Sequence, residues 1–96
     1  MTNWIKYTGE LERKFGVEGK VNFRHVVGSL AQELSFFEGK NERRFAQSQE
    51  LLIQYLSLVE KDKDFRKAET EGSGYFTINF CDVKGYVEYA VKHLEG

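Results

Sequence analysis

Residues 22–38 read NFRHVVGSLAQELSFFE, and this stretch is the strongest indicator of the fold. Its apolar residues fall within an arc of about 140° if each residue advances by ~100° around a helix. They are Phe23, Val26, Val27, Leu30, Ala31, Leu34 and Phe37. Asn22 is a suitable N-cap and Gly39 a suitable stop. The stretch is therefore predicted to be one amphipathic helix.

Two other stretches have the same helical periodicity, one near each end of the chain. The first spans residues 3–15, is followed by Gly16, and has Asn3 or Thr2 as its cap. The second spans residues 83–94 and follows an aspartate that can cap it. Each stretch has its apolar side chains on one face, which indicates helices that pack on a common core.

The longest predicted helix covers residues 41–61. Apolar side chains occupy nearly half of its surface, so we expect it to lie centrally and to contact more than one neighbour. Ile53 is a separate apolar position on this helix. Phe65 would fall on the polar side if the helix continued. The sequence therefore predicts a break near residue 62, with room for a short helix at 64–69.

Residues 75–81 alternate between apolar and polar side chains, which is typical of a strand. This segment either pairs with residues 3–7 or 17–21 or lies extended against the helices. The chain has no proline, in keeping with a helical fold. Together these patterns predict a mainly α fold in a single domain, residues 1–96. We expect a compact bundle of about four helices with one short extended segment at 75–81 before the C-terminal helix.

Charge and composition exclude several classes of protein. The 14 basic and 15 acidic residues give a net charge of −1, whereas proteins that neutralise nucleic-acid phosphates have a basic face. The single cysteine excludes a disulfide framework. No apolar run approaches the roughly 20 residues of a membrane span, and the first residues have no export-signal pattern. We therefore expect a cytoplasmic protein that does not enter a membrane.

Few side chains have metal-binding or catalytic chemistry. A zinc site needs about three or four Cys or His ligands, and the chain offers only Cys81, His25 and His93 without close spacing. A Cys–His nucleophile pair is conceivable, but no catalytic motif surrounds Cys81, and a small, partly buried thiol is the favoured interpretation. Phosphate-binding and serine-nucleophile motifs are also absent from the sequence. The chain is therefore predicted not to be an enzyme and to hold no metal or cofactor.

One candidate surface for a protein partner lies on the helix predicted at 22–38. His25, Ser29, Gln32 and Phe36 follow one another along the side opposite the apolar face. An aromatic side chain in that position can anchor a partner. The alternative is that a neighbouring element of the same chain covers this ridge. We take His25 and Phe36 as candidate binding residues.

A second candidate surface is the stretch from residue 62 to residue 75. It combines acidic groups, aromatic rings and weak periodicity, and loops of this kind often carry function. Its acidic side chains are expected to be solvated. The candidate binding residues are Asp62, Asp64, Phe65, Glu69, Glu71 and Tyr75. The adjoining segment 75–81 offers a strand edge through which a homodimer can form.

The leading functional hypothesis is a small protein-binding inhibitor or adaptor. In length and helical organisation the chain is similar to small helical immunity proteins, although no motif carries this similarity. Those proteins bind a bacterial toxin domain and neutralise it. The similarity implies that the partner is another protein, such as a toxin domain.

Two alternatives belong to other functional classes. The first is a small nucleic-acid-associated regulator or antitoxin, for which Lys40, Arg43 and Arg44 are the candidate cations. The balanced charge of the chain argues against it. The second is a small-molecule-binding domain with a pocket lined by aromatic side chains. The candidate lining residues are Trp4, Tyr55 and Tyr86, although aromatic side chains at helical spacing are far more often part of the core.

Overall fold

The computed structural model describes residues 3–16, 22–71 and 83–95, and this part of the chain forms five helices. They are α1 (Trp4–Phe15), α2 (Asn22–Phe37), α3 (Glu42–Lys61), α4 (Lys63–Thr70) and α5 (Val83–Glu95). The prediction of a mainly α bundle is confirmed, and α4 corresponds to the short helix expected near 64–69. The extended segment predicted at 75–81 lies outside the described residues.

Short polar side chains and glycines define several helix ends. The sequence predicts this for Asn3, Gly16 and Gly39, whereas Asn22, the predicted cap of α2, is the first residue of that helix. Asn3 Oδ1 accepts a hydrogen bond at 3.0 Å from the backbone N–H three residues later, and Asn41 Oδ1 does the same at 3.1 Å. Gly16 (φ 66°) and Gly39 (φ 75°) adopt the left-handed conformation that follows α1 and α2. The predicted bounds match the observed ones closely because these signals are local.

Two side chains stabilise the break between α3 and α4. Asp62 has extended backbone angles (φ −105°, ψ 112°), and its Oδ1 accepts a hydrogen bond from the Phe65 N–H at 2.9 Å. The Arg66 guanidinium donates to the carbonyl oxygens of Val59, at 2.8 Å, and Glu60, at 2.7 Å. These carbonyls belong to the last turn of α3, where they lack helical partners. The predicted break near residue 62 is confirmed.

Helix α3 contacts more than one neighbour, as predicted, because it packs against α2, α4 and α5. Helix α2 packs against all four other helices, so α2 and α3 share the centre of the bundle. Aromatic rings connect these helices, with centroid distances of 5.0 Å for Phe15–Phe23, 6.0 Å for Phe23–Tyr55 and 5.8 Å for Tyr55–Phe65. Ile53 of α3 faces away from the core and is 62% exposed.

The prediction that Phe65 and Glu69 belong to an exposed binding surface is wrong. Both side chains are 0% exposed. After the break at Asp62, α4 packs back against α2 and α3. Phe65 and Glu69 are four residues apart, so they share one face of α4, and this face is turned into the core. The expected solvation of Glu69 is wrong for the same reason.

Candidate functional site

A groove runs along the surface between α1 and α2. Its volume is about 810 Å³. At one end the Arg24 guanidinium contacts the Glu12 carboxylate, with Nε and Oε1 3.3 Å apart. Trp4, Phe36 and Lys40 line the other end. The start of α1 therefore lies beside the end of α2, and the two helices are antiparallel.

The rim of the groove carries an exposed aromatic ring. Phe36 is 61% exposed and makes an edge-to-face contact with Phe37, with ring centroids 4.9 Å apart. Lys40 Nζ lies 4.8 Å from the centroid of the Phe36 ring, and the Arg44 guanidinium carbon lies 4.6 Å from that of Phe37. The sequence-based expectation that Phe36 faces solvent is confirmed.

The indole of Trp4 fixes the opposite wall at the same end of the groove. Its ring contacts Tyr7 of α1 and Phe45 of α3, at centroid distances of 5.8 Å and 6.1 Å. The indole Nε1–H is buried and finds no hydrogen-bond acceptor among the described residues. Trp4 is thus held by packing alone, and this end of the groove contains an unsatisfied polar group.

The floor of the groove is built from small residues, including two glycines inside helices. Gly9 of α1 and Gly28 of α2 both line it, together with Ala31 and Ser35. Neither glycine has a positive φ angle. A Cβ atom at Gly28 would meet no described atom of the chain within 4 Å. A Cβ atom at Gly9 would lie 3.6 Å from Arg13 Nη1, which is an ordinary contact distance.

The other described residues that were predicted to bind a partner do not line the groove. Asp64 is exposed on α4 and Glu71 is exposed directly after it, whereas Asp62 is half-buried and acts as the N-cap. His25 is exposed on α2, about 16 Å from Phe36 along the helix axis at 1.5 Å per residue. Tyr75 lies outside the described residues.

A buried carboxylate links three helices on the inner side of α4. Glu69 Oε1 accepts a hydrogen bond from the Tyr55 hydroxyl, and Glu69 Oε2 accepts one from the Tyr86 hydroxyl, each at 2.6 Å. Burial, followed by the charge of Glu69, raises the pKa of the Tyr55 hydroxyl well above its usual value. The sequence contains one signal for this cluster, since Tyr55 and Tyr86 lie on apolar helix faces. A tyrosine hydroxyl that is buried on such a face needs a hydrogen-bond partner.

The small-molecule pocket predicted between Trp4, Tyr55 and Tyr86 is not formed. Tyr55 is 0% exposed and Tyr86 is 1% exposed, and both hydroxyls are engaged by Glu69. Trp4 lines the groove between α1 and α2 instead. The Glu69 cluster is enclosed in the core, where it links α3, α4 and α5.

Within residues 3–16, 22–71 and 83–95, no three His, Cys, Asp or Glu side chains come together to hold a metal ion. Cys81 lies outside these ranges. None of the five helices is both long enough and apolar enough to cross a bilayer.

No family model matches the sequence, and no significant match to a curated protein or to a solved structure was found.

Proposed function

We propose that this chain is a protein-binding inhibitor or adaptor whose partner docks on the groove between α1 and α2. One observation carries the proposal: the Phe36 ring is 61% exposed at the rim of a groove of about 810 Å³. Aromatic side chains next to a concavity are frequent anchors of protein interfaces. Covering the exposed part of Phe36 would contribute roughly 1–2 kcal/mol to binding.

The specific form that we propose is an immunity-type protein that neutralises a bacterial toxin domain or another effector. Such a protein acts by occupying or covering a site on its partner, so it requires a binding face and no catalytic groups of its own. The rigid pair of helices supplies that face, because α1 and α2 are held together by core contacts such as Phe15–Phe23 at 5.0 Å.

A second candidate function is nucleic-acid binding, favoured by the cations beside the exposed ring. Lys40, Arg43 and Arg44 are all exposed at the start of α3, and Lys40 lies over Phe36. A base can stack on an aromatic ring while cations pair with phosphates. The net charge of −1 makes this the weaker candidate.

The proposed function is tested by purifying the tagged protein from its native host. Wild type is compared with Phe36→Ala and with Ile53→Ala, a control of matched exposure at 62% that lies on α3 outside the groove. We expect one protein to copurify with wild type in stoichiometric amount and to stay bound in high salt. It should be lost from Phe36→Ala and retained by Ile53→Ala.

Two results of that purification would contradict the proposal. Equal recovery from both variants would show that the groove is not the binding face. Nucleic acid that dissociates steeply with increasing salt, in place of a protein, would favour the second candidate.

A further inference from the structure

The floor of the groove is built in a way that folding alone does not explain. A glycine inside a helix destabilises it by roughly 0.5–1 kcal/mol relative to alanine. Gly9 and Gly28 both occupy helix interiors, both line the groove, and neither needs a positive φ angle. The space above Gly28 holds no described atom of the chain within 4 Å. The loss of helix stability at both glycines is explained if the backbone of another segment packs closely against this surface.

The dimensions and surface of the groove fit an α-helix. From Arg24 to Phe36 it follows α2 over thirteen residues, a rise of about 18 Å or slightly more than three helical turns. Small residues on its floor allow a third helix to approach α1 and α2 at the short end of the usual 8–10 Å spacing. Added strands need a free sheet edge, and the described residues contain no strand.

The charges along the groove indicate at which end a bound partner segment carries an acidic side chain. At one end the Arg24 guanidinium is already paired with Glu12 at 3.3 Å. At the other end Lys40 is exposed and lies over Phe36, and no carboxylate in the described ranges is within ion-pair distance of it. A partner that covers Phe36 brings its own side chains next to Lys40. An acidic side chain there would be favoured over a basic one.

From these observations we infer that the groove binds an amphipathic α-helix of the partner protein. Its apolar face lies on Gly9, Gly28 and Phe36, and an acidic side chain at one end pairs with Lys40. This inference rests on the proposed function, because it specifies which segment of the partner docks. It adds the secondary structure, the length of about three turns and the charge of that segment.

The first step of the test is photo-crosslinking in cells of the native host. Benzoylphenylalanine replaces Phe36 in one variant and Ile53 in the control variant, and mass spectrometry identifies the attached peptide. We expect position 36 to capture one segment of one protein, with apolar residues at helical spacing and an acidic residue at one end. Position 53 should not capture that segment.

The second step measures the affinity of the captured segment, synthesised as a peptide, for groove variants. Gly28→Leu should weaken binding at least tenfold while keeping or raising Tm, because leucine is a better helix former and fills open space. Lys40→Glu should weaken binding several-fold, and reversing the acidic residue of the peptide to lysine should restore it. The bound peptide should show helical carbon chemical shifts.

The possible failures separate the two proposals. A captured segment that is not helical, or one that binds Gly28→Leu as tightly as wild type, overturns the helix and leaves the proposed protein-binding function standing. Equal capture at positions 36 and 53 overturns both proposals. Capture of nucleic acid, or of a second copy of this chain, also overturns the helix of a partner protein. A lower Tm for Gly28→Leu means that the groove is filled within the chain, which overturns the inference.

Discussion

Removing one hydroxyl from the buried Glu69 cluster should destabilise the fold strongly. Tyr86→Phe deletes the O–H that donates to Glu69 Oε2 at 2.6 Å and leaves a carboxylate oxygen at a site that is 0% exposed. Hydrogen bonds to charged groups contribute roughly 1.5–3 kcal/mol. We therefore expect a loss of about 2 kcal/mol from a total of roughly 5–15 kcal/mol, and a fall in Tm of about 8–16 °C.

The assay is urea unfolding at neutral pH, monitored by circular dichroism, with Tyr7→Phe as the control. Tyr7 is half-buried, and its hydroxyl has no hydrogen-bond partner among the described residues. Loss of that hydroxyl should change the free energy of unfolding by less than about 0.5 kcal/mol. A similarly small change for Tyr86→Phe would show that Tyr86 does not hold Glu69 in solution, and would refute the reasoning.

A combined variant separates the cost of an unpaired carboxylate from the value of the cluster itself. Replacing Tyr55 and Tyr86 by phenylalanine and Glu69 by methionine removes the charge and both hydroxyls together. Apolar replacement of a whole buried polar cluster is often neutral or stabilising, whereas loss of one member is not. We expect this triple variant to lie within about 1 kcal/mol of wild type, although Tyr86→Phe alone is much less stable.

Three further predictions concern the core, the groove and alkaline pH. The pKa of Tyr55 in the folded protein is raised above its usual value of 10.0. The folded and the unfolded chain therefore both keep the hydroxyl proton below about pH 10, and above that pH the unfolded chain loses it first. Stability should therefore fall as the pH rises beyond about 10, by less in Tyr55→Phe, as urea unfolding at pH 9 and pH 11 would show. Leu30→Ala should lower the free energy of unfolding by roughly 2–5 kcal/mol, since Leu30 is fully buried. Phe36→Ala should leave Tm nearly unchanged, and a loss of stability equal to that of Leu30→Ala would place Phe36 in the core. Gly28→Ala should stabilise the chain by roughly 0.5–1 kcal/mol in thermal melts, and destabilisation would mean that the space above it is filled.

Local signals in the sequence were sufficient to predict the helices. Asn3, Asn41 and Asp62 cap their helices through a bond to an N–H only three residues away, so each end depends on a few neighbouring residues. Periodicity identified the buried face of α2 for the same reason: side chains on a regular helix have fixed directions. The exposure of Phe36 also followed from its position on that helix.

Tertiary packing decided what the sequence could not. Periodicity predicted that α3 ends near Asp62, but the direction of α4 after the break determines whether Phe65 and Glu69 face solvent or core. The cluster of Tyr55, Glu69 and Tyr86 joins three helices whose residues are 14 and 17 positions apart, and no local pattern encodes that meeting. The groove likewise exists only because α1 packs on α2. Local sequence determines which face of each helix is apolar, whereas the relative placement of helices depends on contacts between residues far apart in the chain.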